Sequence, residues 1–319
     1  MFRLLCVGFA LSFLMISPLG VQGQSVDSLQ LMRDVRFLSS DAMKGRLAGT
    51  RESREAQLYL MRRFSAIGLL KRYDTYEQSF FFDKDGRRVM GTNILGYLKG
   101  TASGWIVISA HYDHLGTARP AVQGDSIYNG ADDNASGVAG LLAIASYFKA
   151  RPPKHNLLFV AFDAEEEGLQ GSQAFVTREA GDLMKDIILN VNMDMISHSK
   201  PGVLYACGTR QFPWLKPLIA RAATDRAIHL AFGHDNPDKP KDNWINQSDQ
   251  GSFYAKGIPF VYFGVEDHPD YHQLTDEFRT ISFSFYYRAV KLIIRAVDNL
   301  DRIEPPKAKI PPRNKWIMK

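Results

Sequence analysis

Cysteine is nearly absent from this chain: Cys6 and Cys207 are the only two among 319 residues. No CxxC pair occurs and no HExxH, so finger-type and metzincin-type zinc sites are excluded. Long apolar runs are scarce as well. The one at the start, Leu4 to Met15, is shorter than the roughly 18 to 20 residues of a membrane-spanning helix. With Arg3 before it, Pro18 after it and small or neutral residues through Gly23, it has the layout of a secretory signal peptide. Cleavage is predicted after Gly23, which leaves Cys207 alone and no intrachain disulfide. Basic clusters are missing too: the net charge is +5, with lysines and arginines scattered along the chain. That distribution excludes a nucleic-acid-binding face. There is no internal repeat.

What is present is a regular alternation of patterns. Apolar residues recur at helical spacing from Ser25 to Leu70, predicting two N-terminal helices. Ser39, Ser40 and Asp41 end the first, and Thr50 or Ser53 caps the second. Strand-like stretches follow at "YEQSFFFD", "NILGYLKG" and "GWIVISAHYD". A helix apolar nearly all round, "SGVAGLLAIASYF", predicts burial. Strands at "NLLFVAFD", "DIILNVNMDMIS", "GVLYACG" and "IPFVYFG" alternate with helices, the last running from about Ser282 to Leu300. Such alternation predicts an α/β fold, a three-layer α/β/α sandwich around a mostly parallel mixed sheet behind an N-terminal helical segment. The predicted boundaries are a signal peptide over 1–23, a single domain over 24–302 and a basic, proline-rich tail over 303–319. The polar stretch "FGHDNPDKPKDNWINQSD" is predicted to be a long surface loop.

Open parallel sheets form their sites beyond the carboxyl ends of the strands. His111 and Asp113 follow "WIVISA", Asp163 to Glu167 follow "LLFVAF", Asp194 follows "ILNVNM", and His272 comes shortly after "IPFVYFG". Asp132 and Asp133 stand at the mouth of the buried helix. Each group alone has an ordinary explanation: a hydrogen-bonded histidine, a helix cap, a solvated acidic face. Three glutamates in a row behind an apolar strand nevertheless repel one another unless a cation compensates. Imidazole and carboxylate are the groups that zinc and its neighbours take from such loops.

Five ordered motifs, "AHYDHLG", "GADDNASG", "AEEEGLQGS", "NMDMIS" and "YHQLTDE", resemble the co-catalytic zinc aminopeptidases of metallopeptidase family 28. The resemblance runs from about Val35 to about Val297. It implies two zinc ions: His111 on one, His272 on the other, Asp132 bridging, and Glu166 and Asp194 each completing one shell. It further implies Glu165 as the catalytic base and Asp113 behind the His111 ring, with a cis bond between Asp132 and Asp133. Tyr271 is placed to donate to the tetrahedral oxyanion, and Glu166, or Glu266 with Asp267, to receive a substrate amine. The implied protein is an exported, secreted or periplasmic aminopeptidase without a protease-associated insertion, acting on peptides and not inserted in the membrane after cleavage. Many relatives carry "SDH" where this chain has Ser248, Asp249 and Gln250. Alternatives are a single-zinc glutaminyl cyclase, disfavoured by Tyr271 and the "EGLQGS" continuation, and a non-catalytic binding homologue.

Overall fold

The computed structural model describes residues 26–122, 124–179, 181–302 and 304, so the predicted signal segment and nearly all of the tail lie outside the described residues. The two N-terminal helices form as their apolar spacing predicts: α1 is Ser28–Leu38 and α2 is Arg51–Ile67. The hydroxyls of Ser39 and Ser40 turn back onto the carbonyls of Val35 and Phe37 at the end of α1. Of the two candidate caps for α2, Thr50 takes the role, its hydroxyl accepting the Ser53 N–H at 3.2 Å. Gly68, at φ 80°, closes α2 in the left-handed conformation that favours glycine.

Next come β1 (Leu70–Lys71), β2 (Glu77–Lys84), β3 (Arg87–Leu98) and β4 (Trp105–His111). A small hairpin, β5 (Thr117–Val122) and β6 (Asp125–Ile127), precedes the buried helix α3 (Gly137–Ala150). The remainder runs β7 (Asn156–Phe162), α4 (Gln170–Arg178), α5 (Asp182–Asp186), β8 (Ile187–Met193), β9 (Val203–Cys207), α6 (Leu215–Ala220), β10 (His229–Phe232), α7 (Gln250–Ala255), β11 (Phe260–Gly264) and α8 (Phe283–Asp301). The main sheet has the order β1-β3-β7-β4-β8-β11-β9-β10, with β2 pairing on β3. Its centre, β7, β4, β8 and β11, is parallel, and antiparallel strands flank it on both sides.

Side chains alternate across a strand, and the central strands therefore feed two cores. Ile106, Ile108 and Ala110 of β4, with Leu157, Phe159 and Ala161 of β7, pack under α1, α2, α3 and α8. Val107, Leu158, Val160 and Phe162 face the other way, onto Phe175 of α4 and Phe253 of α7. This is the three-layer arrangement expected from the pattern, and burial on both faces explains why these strands read as unbroken apolar runs. The hairpin, β10 and α7 were not legible. They are short, and β10 has too few residues to show a period. β10 is an edge strand, and α7 follows directly on the stretch read as loop.

Phe159 is fully buried in the larger core. Phe159→Ala is expected to cost about 3–5 kcal/mol of stability, read by chemical denaturation with an unchanged m-value.

Candidate active site

Because β7, β4, β8 and β11 run in parallel, their carboxyl ends deliver side chains to one edge of the sheet. His111 is the last residue of β4, Glu165 and Glu166 follow β7, and Asp194 directly follows β8. His272 arrives on the loop after β11. The segment Ala131–Ser136 leads into α3 and contributes an aspartate. Together they line a cleft of about 320 Å³, walled by His111, Asp133, Glu165, Glu166, Asp194 and His272, with Trp244, Tyr262, Asp267 and Tyr271 around it. Ala164, Met195 and His272 all hold positive φ near 55° beside these groups. Such conformations cost on the order of 1–3 kcal/mol each and persist only where surrounding contacts impose them.

The expectation for Asp132 is corrected by the geometry. Its carboxylate is turned away from the cleft and is fully engaged: Oδ1 accepts the Ser197 N–H and hydroxyl, both at 2.7 Å, and the Ser136 hydroxyl. Oδ2 accepts from His268 Nε2 at 3.0 Å. Asp133 occupies the central position instead. Its Oδ1 lies 3.3 Å from His111 Nε2 and its Oδ2 lies 3.1 Å from His272 Nε2. The cis bond is correspondingly one residue later than expected, between Asp133 and Asn134. Consecutive side chains in this non-helical turn point in different directions, and the sequence does not say which of the two faces the cleft.

The remaining predicted residues converge. Asp194 Oδ1 is 3.2 Å from His111 Nε2, and Glu166 Oε2 is 3.2 Å from His272 Nε2. Asp113 lies behind the His111 ring, 3.7 Å from its Nδ1, and its carboxylate also accepts the backbone N–H groups of Glu165 (3.0 Å) and Glu166 (3.2 Å). One buried aspartate thereby holds both glutamate N–H groups with its carboxylate, while its backbone carbonyl lies 3.3 Å from His111 Nδ1. Tyr271 lines the cleft with its ring tilted against that of His272, centroids 4.0 Å apart. Glu167 pairs outward with Lys84, and Glu266 pairs with His234 at 3.1 Å, leaving Asp267 as the member of that pair on the cleft wall. Gln250 ties Asn192 of β8 to the Trp244 carbonyl through two hydrogen bonds.

Three residues escaped the sequence reading, and a fourth, Asp249, was read without a role. His114 Nδ1 hydrogen-bonds Glu166 Oε1 at 2.7 Å, fixing that carboxylate from behind. Asp276, inside "YHQLTDE", accepts the backbone N–H groups of Asp132 and Asp133 and holds the turn in place. Arg46, fully buried, donates to the carbonyls of Leu38, Tyr112, Asn129 and Gly130 at 2.5–2.9 Å, joining the N-terminal helices to two site loops. Asp249 lies fully buried, and the charges of His111 and Asp194 act on its carboxyl. A second histidine in "HYDH" was the available signal for His114; nothing marked Arg46.

The electrostatics follow from burying so many acids together. Burial raises the Glu165 carboxyl well above its ordinary range; His111 opposes the shift, while Asp194, Asp249 and Glu166 add to it. Burial likewise lifts Asp249 to about 7. Asp133 goes the other way: burial is outweighed by His114, His111 and His272, which hold it well below the usual carboxylate range. Burial alone would lower His272, but Asp133 and Glu166 outweigh it and raise the ring to about 10. The side chains by themselves therefore hold onto cationic charge. Two groups, His111 with Glu165 and Asp194, and His114 with Asp133 and Glu166, each place a nitrogen and two carboxylate oxygens within 4.8 Å of one another. That donor set fits divalent zinc-like ions.

Residues 93–297 match the family model for peptidase family M28. The chain belongs to that family. The M28 chain is 28% identical over 203 residues to the alkaline phosphatase isozyme conversion protein of Escherichia coli, covering 60% of this chain and 56% of the relative. It is equally 28% identical over 203 residues to aminopeptidase YwaD of Bacillus subtilis, covering 60% of this chain and 40% of the relative. Among solved structures, the aminopeptidase from Aneurinibacillus sp. strain AM-1 superposes with a TM-score of 0.69 at 17% identity, covering 91% of this chain and 97% of the other. Bacteroides thetaiotaomicron glutaminyl cyclase does so with a TM-score of 0.70 at 19% identity, covering 86% and 99%. The M28 fold is thus shared across both likenesses, and the side chains must separate them.

Metal titration of two variants tests the corrected assignment. Asp133→Ala is expected to weaken zinc binding in the cleft at least about a hundredfold, whereas Asp132→Asn keeps its side chain out of the cleft and is expected to retain that binding.

Proposed function

We propose that this M28 chain is a two-zinc aminopeptidase that removes N-terminal residues from peptides. The observation that carries the reading is the position of Asp133, one carboxylate oxygen toward His111 and the other toward His272. Asp133 would be shared between two ions, one held with His111 and Asp194 and the other with His272 and Glu166. When bound, the pair supplies a water of lowered pKa and polarises the scissile carbonyl. Glu165, on the cleft wall, takes the proton of the attacking water and passes it to the leaving amine. Asp113 keeps the His111 ring oriented, as carboxylates behind metal-ligating histidines do. The Tyr271 hydroxyl donates to the oxygen of the tetrahedral intermediate. Its pKa is raised, by burial first and then by Asp133 and Asp194, so the donating proton stays on. Asp267, or Glu166, receives the substrate's free α-amine.

The cyclase reading needs one ion and would leave His272 and Glu166, on the other side of Asp133 from His111, without a task. A non-catalytic binding module would have no use for Glu165 at the wall of an otherwise complete donor set. The predicted signal segment and the name of the Bacillus subtilis relative, an aminopeptidase, support an exported enzyme acting as a single domain over 24–302, secreted or periplasmic.

Assay of N-terminal aminoacyl chromophore release decides the matter. Glu165→Gln is expected to retain two zinc equivalents and to lose kcat at least about a hundredfold, while Glu166→Gln loses metal. Retained turnover in Glu165→Gln, or cyclisation of N-terminal glutamine by a one-zinc protein, sinks the reading.

Metal binding should also expel protons. Against burial, Asp133 and Glu166 push the His272 ring up to about 10, and Asp194 and Glu165 push His111 well above its ordinary value, so both carry protons at neutral pH that a ligand nitrogen must give up. The apparent zinc affinity is therefore expected to rise from pH 6 to pH 8. Calorimetry in buffers of different ionisation enthalpy should show net proton release.

A further inference from the structure

On the far side of Asp132 from the cleft lies a second histidine cluster. The rings of His198 and His268 lie against each other, centroids 4.0 Å apart and tilted by 32°. His268 Nε2 donates to Asp132 Oδ2 at 3.0 Å, so in the neutral ring Nδ1 is the bare lone pair. That Nδ1 is buried and has no hydrogen-bond partner. The Nδ1 of His198, a residue only 7% exposed, is likewise buried and without a partner. Both nitrogens face the Asp270 carboxylate, whose Oδ2 is 3.5 Å from His198 Nδ1 and 3.9 Å from His268 Nδ1. These separations are too long for hydrogen bonds. The shorter, 3.5 Å, equals the upper end of the roughly 3.0–3.5 Å between donors that share an ion at about 2.0–2.2 Å from each, and the longer, 3.9 Å, exceeds it. A cavity of about 200 Å³ opens beside the two histidines, with Lys200, Tyr205 and Glu266 on its wall.

We infer that His198, His268 and Asp270 form a third divalent-cation site, separate from the cleft, that takes zinc or a similar borderline transition ion. Two imidazole nitrogens and one carboxylate are the ligand set of such ions rather than of calcium or magnesium. The hydrogen bond from His268 to Asp132 is the outer partner that ligating histidines ordinarily have, fixing the ring and its tautomer. The location gives the ion a task. His198 lies four residues beyond Asp194, and Asp270 lies two residues before His272. An ion shared by them ties the loop after β11, which carries Tyr271 and His272, to the end of β8. Asp132 links the same site to Asp133 through a single peptide unit. The third ion would set the position of the loop without touching substrate.

This inference does not rest on the peptidase reading and can be tested apart from it. The full mature chain, stripped with a chelator and saturated with zinc, would be crystallised for anomalous diffraction at the zinc edge. The expected result is a peak within about 2.0–2.2 Å of both Nδ1 atoms and an Asp270 oxygen. In solution the wild type is expected to hold one more zinc equivalent than His198→Ala. The Asp270→Asn variant, altered at a partly exposed side chain, is expected to bind this ion at least about tenfold more weakly. No anomalous peak between the rings at saturation, or equal zinc content in wild type and both variants, overturns the proposal. Should a variant fail to fold, the wild-type map decides alone. Failure of the two-ion reading would appear in the same map as missing density beside Asp133 and would leave this result standing.

Discussion

The structure is organised around the cost of gathering carboxylates at one edge of a buried sheet. Asp113, Asp133, Asp163, Asp194, Asp249 and Asp276 are all at least 93% buried, within a few residues of strand ends or helix starts. Isolated charges in such surroundings would neutralise or drive the chain apart. Here backbone N–H groups answer several of them: Asp113 takes those of Glu165 and Glu166, Asp163 that of Thr92, and Asp276 those of Asp132 and Asp133. Histidines answer Asp133 and Asp194. Arg46 supplies a fixed positive charge behind the loops, its own pKa lowered by burial to about 10 and sustained by Asp133 and Asp113.

This scaffold determines what the cleft can do. A parallel centre sends β4, β7, β8 and β11 toward the same edge, so residues far apart in the chain meet within about 3 Å. Positive φ at Ala164, Met195 and His272 re-aims the chain just where the strands stop. The donors are thus held by elements whose cores lie elsewhere, which is what a preorganised site requires. Asp132 connects this site to its surroundings: excluded from the cleft, it joins Ser136, Ser197 and His268 into one hydrogen-bonded corner.

Much of the architecture was legible because it rests on local periodicity. Strands buried on both faces betray themselves as apolar runs such as "WIVISA" and "LLFVAF", and α3 as a helix without a polar side. The small elements, β5, β6, β10 and α7, carry too few residues for a period to emerge. In the site, His111, Asp113, Glu165, Glu166, Asp194, Tyr271 and His272 all reach the cleft or its immediate backing, as their places after strands suggested. His114, Asp276 and Arg46 were missed. Their work is done on backbone groups and neighbouring carboxylates that only folding brings near.

The sequence by itself determined the layered α/β fold, the family and the set of segments that supply the chemistry, because these depend on side-chain period and on motif order. Only the tertiary structure decided between Asp132 and Asp133. Two adjacent, identical side chains carry no pattern that separates them, and the choice follows from a non-helical turn held by Asp276 and from the partners that occupy Asp132. On the other side of that turn His268 hydrogen-bonds Asp132, and its ring lies against that of His198 with Asp270 near both. No spacing in the chain foretells that meeting, since it depends on the packing of the loop after β11 against the end of β8.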